Sequence, residues 1–355
     1  MTDAPNQADE AYQEHILQGV SRTFALTIPQ LPDGLRRPVS NAYLLCRIAD
    51  TIEDDNALDS NQTRRYSDMF TEVVAGNASA EQLSLELSPL LSEHSIPDEH
   101  DLIRNIPAVI RITHSFNPNQ RKALERCVRI MAQGMADYQD AETLDGVPDL
   151  PAMDKYCYYV AGVVGEMLTE LFCDYDEAIN KNRETMMKLA VSFGQGLQMT
   201  NILKDIWDDR KRGACWLPRD IFREHGVDLA TLSPGQAGPG FEHALGILIA
   251  VAKDHLRDAL DYTLMIPARE AGIRRFCLWA LGMAVLSLNR LNSHRNFSEG
   301  RQVKISRRSV KGTVLVTSLF ARNGGILRLL FRIWTRNLPS TNIREKLSGV
   351  GCTAI

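Results

Sequence analysis

The chain has 355 residues, 44% hydrophobic and 24% charged, which is long enough to bury a sizeable core and too apolar for a disordered chain. Its seven cysteines form no Cys-x-x-Cys and no zinc spacing with histidine, so a disulfide framework and a structural zinc site are excluded and a reducing compartment is expected. The net charge of −4 hides an asymmetry: Arg301 to Ile355 carries eleven Lys and Arg against one acidic residue, a net of +10, and leaves −14 on the remainder. That basic end suits a solvated tail, an anionic lipid surface or a phosphorylated cofactor.

The polar, acidic start MTDAPNQADE is not a signal peptide. Ser21-Arg22-Thr23 precedes a short apolar run. Ser21 reads as an N-cap, or with Arg22 as a phosphate clamp in which hydroxyl and guanidinium both donate. Pro38 is expected to open a helix. Its buried stripe is Ala42, Leu45, Ile48 and Ala49, and it carries Arg47-Ile-Ala-Asp50-Thr-Ile-Glu53-Asp54-Asp55. Helices are expected near 63–75, 80–92, 101–113 and 119–138. The stretch 139–152 reads as a longer loop that could act as a lid.

Next comes Asp154-Lys-Tyr156-Cys-Tyr-Tyr159-Val160-Ala161-Gly162-Val163-Val164-Gly165. Tyr156, Val160 and Val163 share a helical face. Each glycine costs a helix roughly 1 kcal/mol against alanine, so they imply close approach of another helix or of a bulky ligand. Tyr156 is a core residue, or a hydroxyl and π-face beside a reacting cation. A helix over 183–210 then carries Gln198, Asn201, Lys204, Asp205, Asp208 and Asp209, followed by the basic turn Arg210-Lys-Arg212-Gly213. Further helices are expected over 242–265 and 271–291. An apolar stretch at 313–334 holds too many arginines to span a membrane but suits an amphipathic surface helix. No alternating strand pattern is present, so the fold class is all-α.

The spacing Asp50/Glu53/Asp54 recurs as Asp205/Asp208/Asp209. Residues three and four apart on a helix have Cβ atoms about 5–6 Å from one another. Carboxylates so crowded repel, and a bound cation offsets that repulsion. One such triad reads most simply as a solvated helix face. Two with the same spacing, both in apolar helices, point to hard cations such as magnesium holding a diphosphate. An EF-hand calcium loop is absent.

With these two motifs the chain resembles the squalene/phytoene synthase family of head-to-head prenyltransferases, over roughly residues 15–312. The resemblance implies a disordered tail at 1–14, a single large all-α domain of the isoprenoid synthase type with a central cavity, and a basic amphipathic extension at 313–355. Tyr156 to Gly162, Phe276-Cys277 and Val303-Lys304-Ile305 look like the squalene synthase branch, whose other products would be presqualene diphosphate, hydroxysqualene, dehydrosqualene or phytoene. The implied substrate is farnesyl diphosphate. The implied cofactors are magnesium, with manganese as a substitute, and NADPH. The implied metal ligands are Asp50, Glu53, Asp54, Asp205, Asp208 and Asp209. Ser21, Arg22, Arg47, Lys204 and Arg212 match diphosphate-contacting positions, and Val160, Gln198, Asn201 and Phe276 match pocket-lining ones. Tyr156 matches the acid/base or cation-steering position. Lys304 and Arg307 match a basic element linked to NADPH, here with Ser306 where the animal-type pattern has Arg. No transmembrane segment or nucleic-acid partner is expected. A bacterial enzyme is expected, cytoplasmic or peripheral on the inner face of the membrane. The alternative of another class is an inactive helical partner-binding relative.

Overall fold

Apolar residues three and four apart fold as helices along most of the chain. The computed structural model describes residues 5–21, 23–93, 95–139, 143–235 and 238–341. Among them there is no strand, only an isolated bridge between Val147 and Pro218. The described residues group into two compact units. One is drawn from Met1–Ala141 and Val163–Met187, the other from Glu142–Gly162 and Lys188–Ile355.

The first unit is built on the helix Asp33–Asp54, whose inner stripe includes the buried Leu35, Val39, Ala42, Leu45, Ile48 and Ile52. It packs against Gln7–Val20, Ser60–Ala75, Ile106–His114, Pro118–Gln139 and Val163–Tyr175. It opens at Asp33 behind Pro32, five residues before the expected start, and Pro38 lies inside it. The expected disordered tail at 1–14 is corrected too, because a helix begins at Gln7. Asn6 accepts from Ala8 N and Asp9 N, and the Asp9 side chain accepts from Asn6 N in return. Asp9 is itself buried and held by Arg111 at 2.6 and 3.0 Å, which keeps its carboxyl below the usual range. The helix expected over 101–113 is two, Pro97–Arg104 and Ile106–His114, broken where Asn105 and Pro107 disfavour continuation.

The second unit packs Pro239–Met265 against Ala271–Ser293, and the latter against Arg307–Phe320. Ala271–Ser293 is long and apolar enough to cross a membrane, but 61% of its apolar window is buried inside the protein, as befits a core helix. The stretch expected as one helix over 313–334 is two, Arg307–Phe320 and Gly324–Thr335, the second capped by Asn323 Oδ1 accepting from Ile326 N. The expected domain boundary at 312/313 therefore falls within a helix. The supposed lid is anchored over its described part. Val147 is buried, Arg219 N donates to Val147 O, and the Arg219 guanidinium donates to Asp145 O and Gly146 O. Residues 140–142 of that segment lie outside the described residues.

Arg274 ties the second unit together. It is buried, and its guanidinium donates to Ile266 O at 2.6 and 2.8 Å, Ala321 O at 3.0 Å and Leu264 O at 3.1 Å. These carbonyls lie at the C-terminal ends of two helices, where a cation also suits the helix dipole. Arg274→Met would leave three buried carbonyls without a donor. It is expected to cost about 3 kcal/mol, read as a lower urea midpoint at unchanged slope.

Candidate active site

The first acidic motif ends the Asp33–Asp54 helix. Asp54 is exposed and Glu53 half-buried, whereas Asp55 turns inward. Asp55 accepts from Ala57 N, Ser92 N and the Ser95 hydroxyl; burial raises its pKa, but these donors outweigh it and hold the carboxyl low. Asp55 thus anchors the chain after the helix. Arg47 pairs with Glu99 and lies 4.0 Å from Asp50, while its buried Nε has no partner, a donor left for an anion. Burial first, and then the charge of Asp54, push the Asp50 carboxyl up to about 7, against the pull of Arg47. Its side chain is 31% exposed. Solvent at that open part screens the repulsion without reversing it.

The second motif lies on Arg183–Lys211, and here each carboxylate has a base beside it. Lys204 Nζ is 3.1 Å from Asp205 and donates to Asn201 Oδ1 at 3.2 Å. Lys211 Nζ is 2.9 Å from Asp208, and Arg212 donates to Asp209 at 2.6 Å. Arg210 is committed elsewhere, to Leu144 O and Ala230 O. Of the two arginines, Arg212 is therefore the one that faces the acidic cluster. Trp207, fully buried between Asp205 and Asp209, donates to Phe297 O at 2.7 Å and fixes the rotation of the helix.

Tyr156 ends the short helix Leu150–Cys157 and is followed by a π-helical turn, Tyr158–Gly162. That turn breaks the α register that sequence spacing assumed for Tyr156, Val160 and Val163. Such turns gather at functional sites. Tyr156 is buried and stacked on Trp216, with ring centroids 3.8 Å apart and planes 6° apart. Trp216 is sixty residues away in sequence, and no local pattern pointed to it. The Asp205-bearing helix meets the π turn through glycine: a Cβ on Gly194 would lie 2.2 Å from Ala161 O. Gln195 donates to Asp154 O at 3.0 Å. Ser192 bonds both the His255 ring at 2.9 Å and Asp258 at 2.7 Å, and the buried His255 stands 3.6 Å from Asp154. This polar network binds the Tyr156 helix to the helix of the second motif, and sequence spacing gave no sign of it. Val160 and Gln198 are half-buried, and Phe276 is buried on Ala271–Ser293.

Gly300 approaches the second motif, since a Cβ there would be 3.2 Å from Asp208 Oδ2. The turn Gly300–Val303 leads to Lys304 and Arg307, both exposed and without an ion pair among the described residues. Ser306, which departs from the animal-type pattern, is the N-cap of Arg307–Phe320 and accepts from Ser309 N at 3.0 Å. Ser21 is buried and accepts from Phe24 N at 2.9 Å, which supports its capping role. Arg22 lies outside the described residues. A cavity of about 740 Å3 in the first unit, bordered by Lys122, Arg126, Glu170, Asp174 and Arg183, contains none of the motif residues. Its charges pair locally, Arg183 with Glu170 and Arg126 with Glu166.

A model of the squalene/phytoene synthase family matches residues 17–309. The chain belongs to that family. It is 28% identical to a squalene synthase of Botryococcus braunii over 278 residues, which cover 77% of this chain and 56% of the relative. It is 28% identical to the squalene synthase of Saccharomyces cerevisiae over 343 residues, covering 94% of this chain and 73% of the relative. The chain thus spans little more than half the length of some relatives it matches. The solved complex of TcSQS with the ligand BPH1237 shares the fold at a TM-score of 0.74 and 23% identity, covering 94% of this chain and 92% of that one. A solved dehydrosqualene synthase shares it at 0.61 and 20% identity, covering 88% and 96%.

The donor set fits a hard divalent cation: every candidate ligand is a carboxylate oxygen. Among the described residues no three His, Cys, Asp or Glu side chains converge as a metal cage. Magnesium takes one or two carboxylates and completes its shell with water and phosphate. At Asp50 the metal competes with a proton, so the sign is set: affinity falls as pH drops through 7. Calorimetric titration with magnesium is expected to show about tenfold weaker binding per pH unit below about 7 and a plateau above it. In Asp50→Asn that dependence should vanish.

Proposed function

We propose that the chain is a squalene synthase: it joins two farnesyl diphosphates head to head into presqualene diphosphate, then reduces this with NADPH to squalene. The observation that carries the reading is the repeated carboxylate triad, each with its own arginine or lysine, in a chain of this family. Asp50, Glu53 and Asp54 on one helix and Asp205, Asp208 and Asp209 on the other would hold magnesium. Magnesium bound there neutralises the charge that develops on the departing diphosphate.

The chain's own groups do the rest. Arg47 Nε has an open donor for a phosphate oxygen. Lys204 and Arg212 already stand at the carboxylates of the second motif and can turn to a phosphate oxygen there. In the first half-reaction the C1–O bond of one farnesyl diphosphate breaks. The 2,3 double bond of the second supplies the electron pair to C1. A proton is then lost as the cyclopropane closes. Tyr156 would serve in that proton transfer or steer the cation: its ring lies flat against Trp216, and two stacked π-faces favour a nearby carbocation. Half-buried Val160 and buried Phe276 present no nucleophile and keep water from quenching the cation.

In the second half-reaction the diphosphate of presqualene diphosphate leaves and the cyclopropylcarbinyl cation rearranges. NADPH supplies the hydride that quenches it, leaving squalene, diphosphate and NADP+. Lys304 and Arg307 are exposed cations without an ion pair among the described residues, and would suit the dinucleotide phosphates. The six described cysteines are free and buried, which suits work in a reducing cytoplasm.

Mass spectrometry of products tests the reading. With farnesyl diphosphate and magnesium, squalene is expected only when NADPH is present. Presqualene diphosphate or other C30 products should appear without it. Identical products with and without NADPH would make the chain a relative that stops early, and a C40 product from geranylgeranyl diphosphate would move it to phytoene synthesis. Lys304→Ala should spare presqualene diphosphate formation and slow only the reduction. An equal loss in both steps would remove Lys304 from the NADPH contact.

A further inference from the structure

Helices Arg307–Phe320 and Gly324–Thr335 are docked by their inner faces alone. Thr313, Thr317, Leu327 and Thr335 are buried, Trp279 Nε1 donates to Ser318 Oγ at 3.0 Å, and Asn289 donates to Trp334 O at 2.8 Å. Their outer faces are apolar where a soluble surface is usually polar. Leu315 is 61% exposed, Leu319 69%, Leu329 47% and Ile333 49%, four of the nine large apolar residues described as exposed, within nineteen residues of chain.

The charge around them has one sign. From Arg301 to Thr341 there are nine Lys and Arg and no Asp or Glu. Arg301 pairs with Glu299 and Arg328 with Asp261, while Lys311, Arg322, Arg332 and Arg336 make no ion pair among the described residues. Helical spacing puts Arg308, Lys311, Leu315 and Leu319 on one stripe, and Arg322 follows in the turn just past the helix end. On the second helix Leu329 and Ile333 alternate with Arg332 and Arg336.

We propose that this helical hairpin is a docking surface for a bilayer of anionic phospholipid. The helices lie in the plane of the interface. Leu315, Leu319, Leu329 and Ile333 enter the acyl boundary, and the arginines reach the phosphates. A second copy of the chain is a poorer occupant, because it would set the same unpaired bases against one another. A nucleic acid is poorer as well, since the most exposed apolar side chains are aliphatic and offer no stacking face.

The test is co-sedimentation of the full chain with vesicles of phosphatidylglycerol and phosphatidylcholine, against vesicles of phosphatidylcholine alone. Binding is expected to the first, to weaken at high salt, and to be slight on the second. Arg322→Gln with Arg332→Gln should lower the partition coefficient about twenty-fivefold, since each base near an anionic surface is worth roughly fivefold. Leu315→Ser with Leu319→Ser should lower it at least about tenfold. Circular dichroism and melting temperature should stay as in the parent, since all four side chains are exposed. Indifference of the parent to anionic vesicles would overturn the proposal. Full binding by the leucine variant would overturn insertion, and concentration-dependent self-association abolished by that variant would assign the face to a second copy.

Discussion

Carboxylates three and four residues apart on a helix repel one another, and this chain builds that arrangement twice. The two solutions differ. In the second motif Lys204, Lys211 and Arg212 each stand at one acid, so the cluster is neutralised locally before any ligand arrives. In the first, Arg47 is shared between Asp50 and Glu99, and Asp54 is exposed at the end of the helix. The result is an Asp50 that holds its proton to about 7 because of burial and the neighbouring Asp54. Negative charge crowded in this way costs stability until a cation joins it, and the cation's affinity is correspondingly increased.

The scaffold of the second motif is unusually constrained for a helix with so polar a face. Trp207 is locked to the Phe297 carbonyl, so the helix cannot rotate its acids away. Gly194 lets the Ala161 carbonyl come within contact, Gln195 donates to Asp154 O, and Ser192 bonds His255 and Asp258 nearby. Polar groups in low dielectric hold their geometry tightly when partnered. Tyr156 inherits this rigidity through the helix that carries Asp154 and through its stacking on Trp216.

Much of this was legible in the sequence because helical periodicity carries it. The all-α class and the two acidic faces follow from spacing of three and four. What spacing assumes is a uniform 3.6-residue turn, and the π turn at Tyr158–Gly162 escaped for that reason. Local reading also missed partners distant along the chain, such as Trp216 for Tyr156 and Glu99 for Arg47. Asp55 looked like part of the acidic run, yet the donors of Ala57, Ser92 and Ser95 turn it inward. The start of the first helix was hidden because the capping of Asn6 and Asp9 depends on Arg111, about a hundred residues on.

Calorimetric titration with inorganic diphosphate, with and without magnesium, tests the central claim most directly. It asks whether both acidic faces serve one diphosphate-binding function. Diphosphate is expected to bind the parent only when magnesium is present, and Asp50→Asn and Asp205→Asn are each expected to weaken that binding by about a hundredfold, the scale of disrupting a metal-ligand network. Equal binding without magnesium, or tight binding retained in either variant, would contradict it.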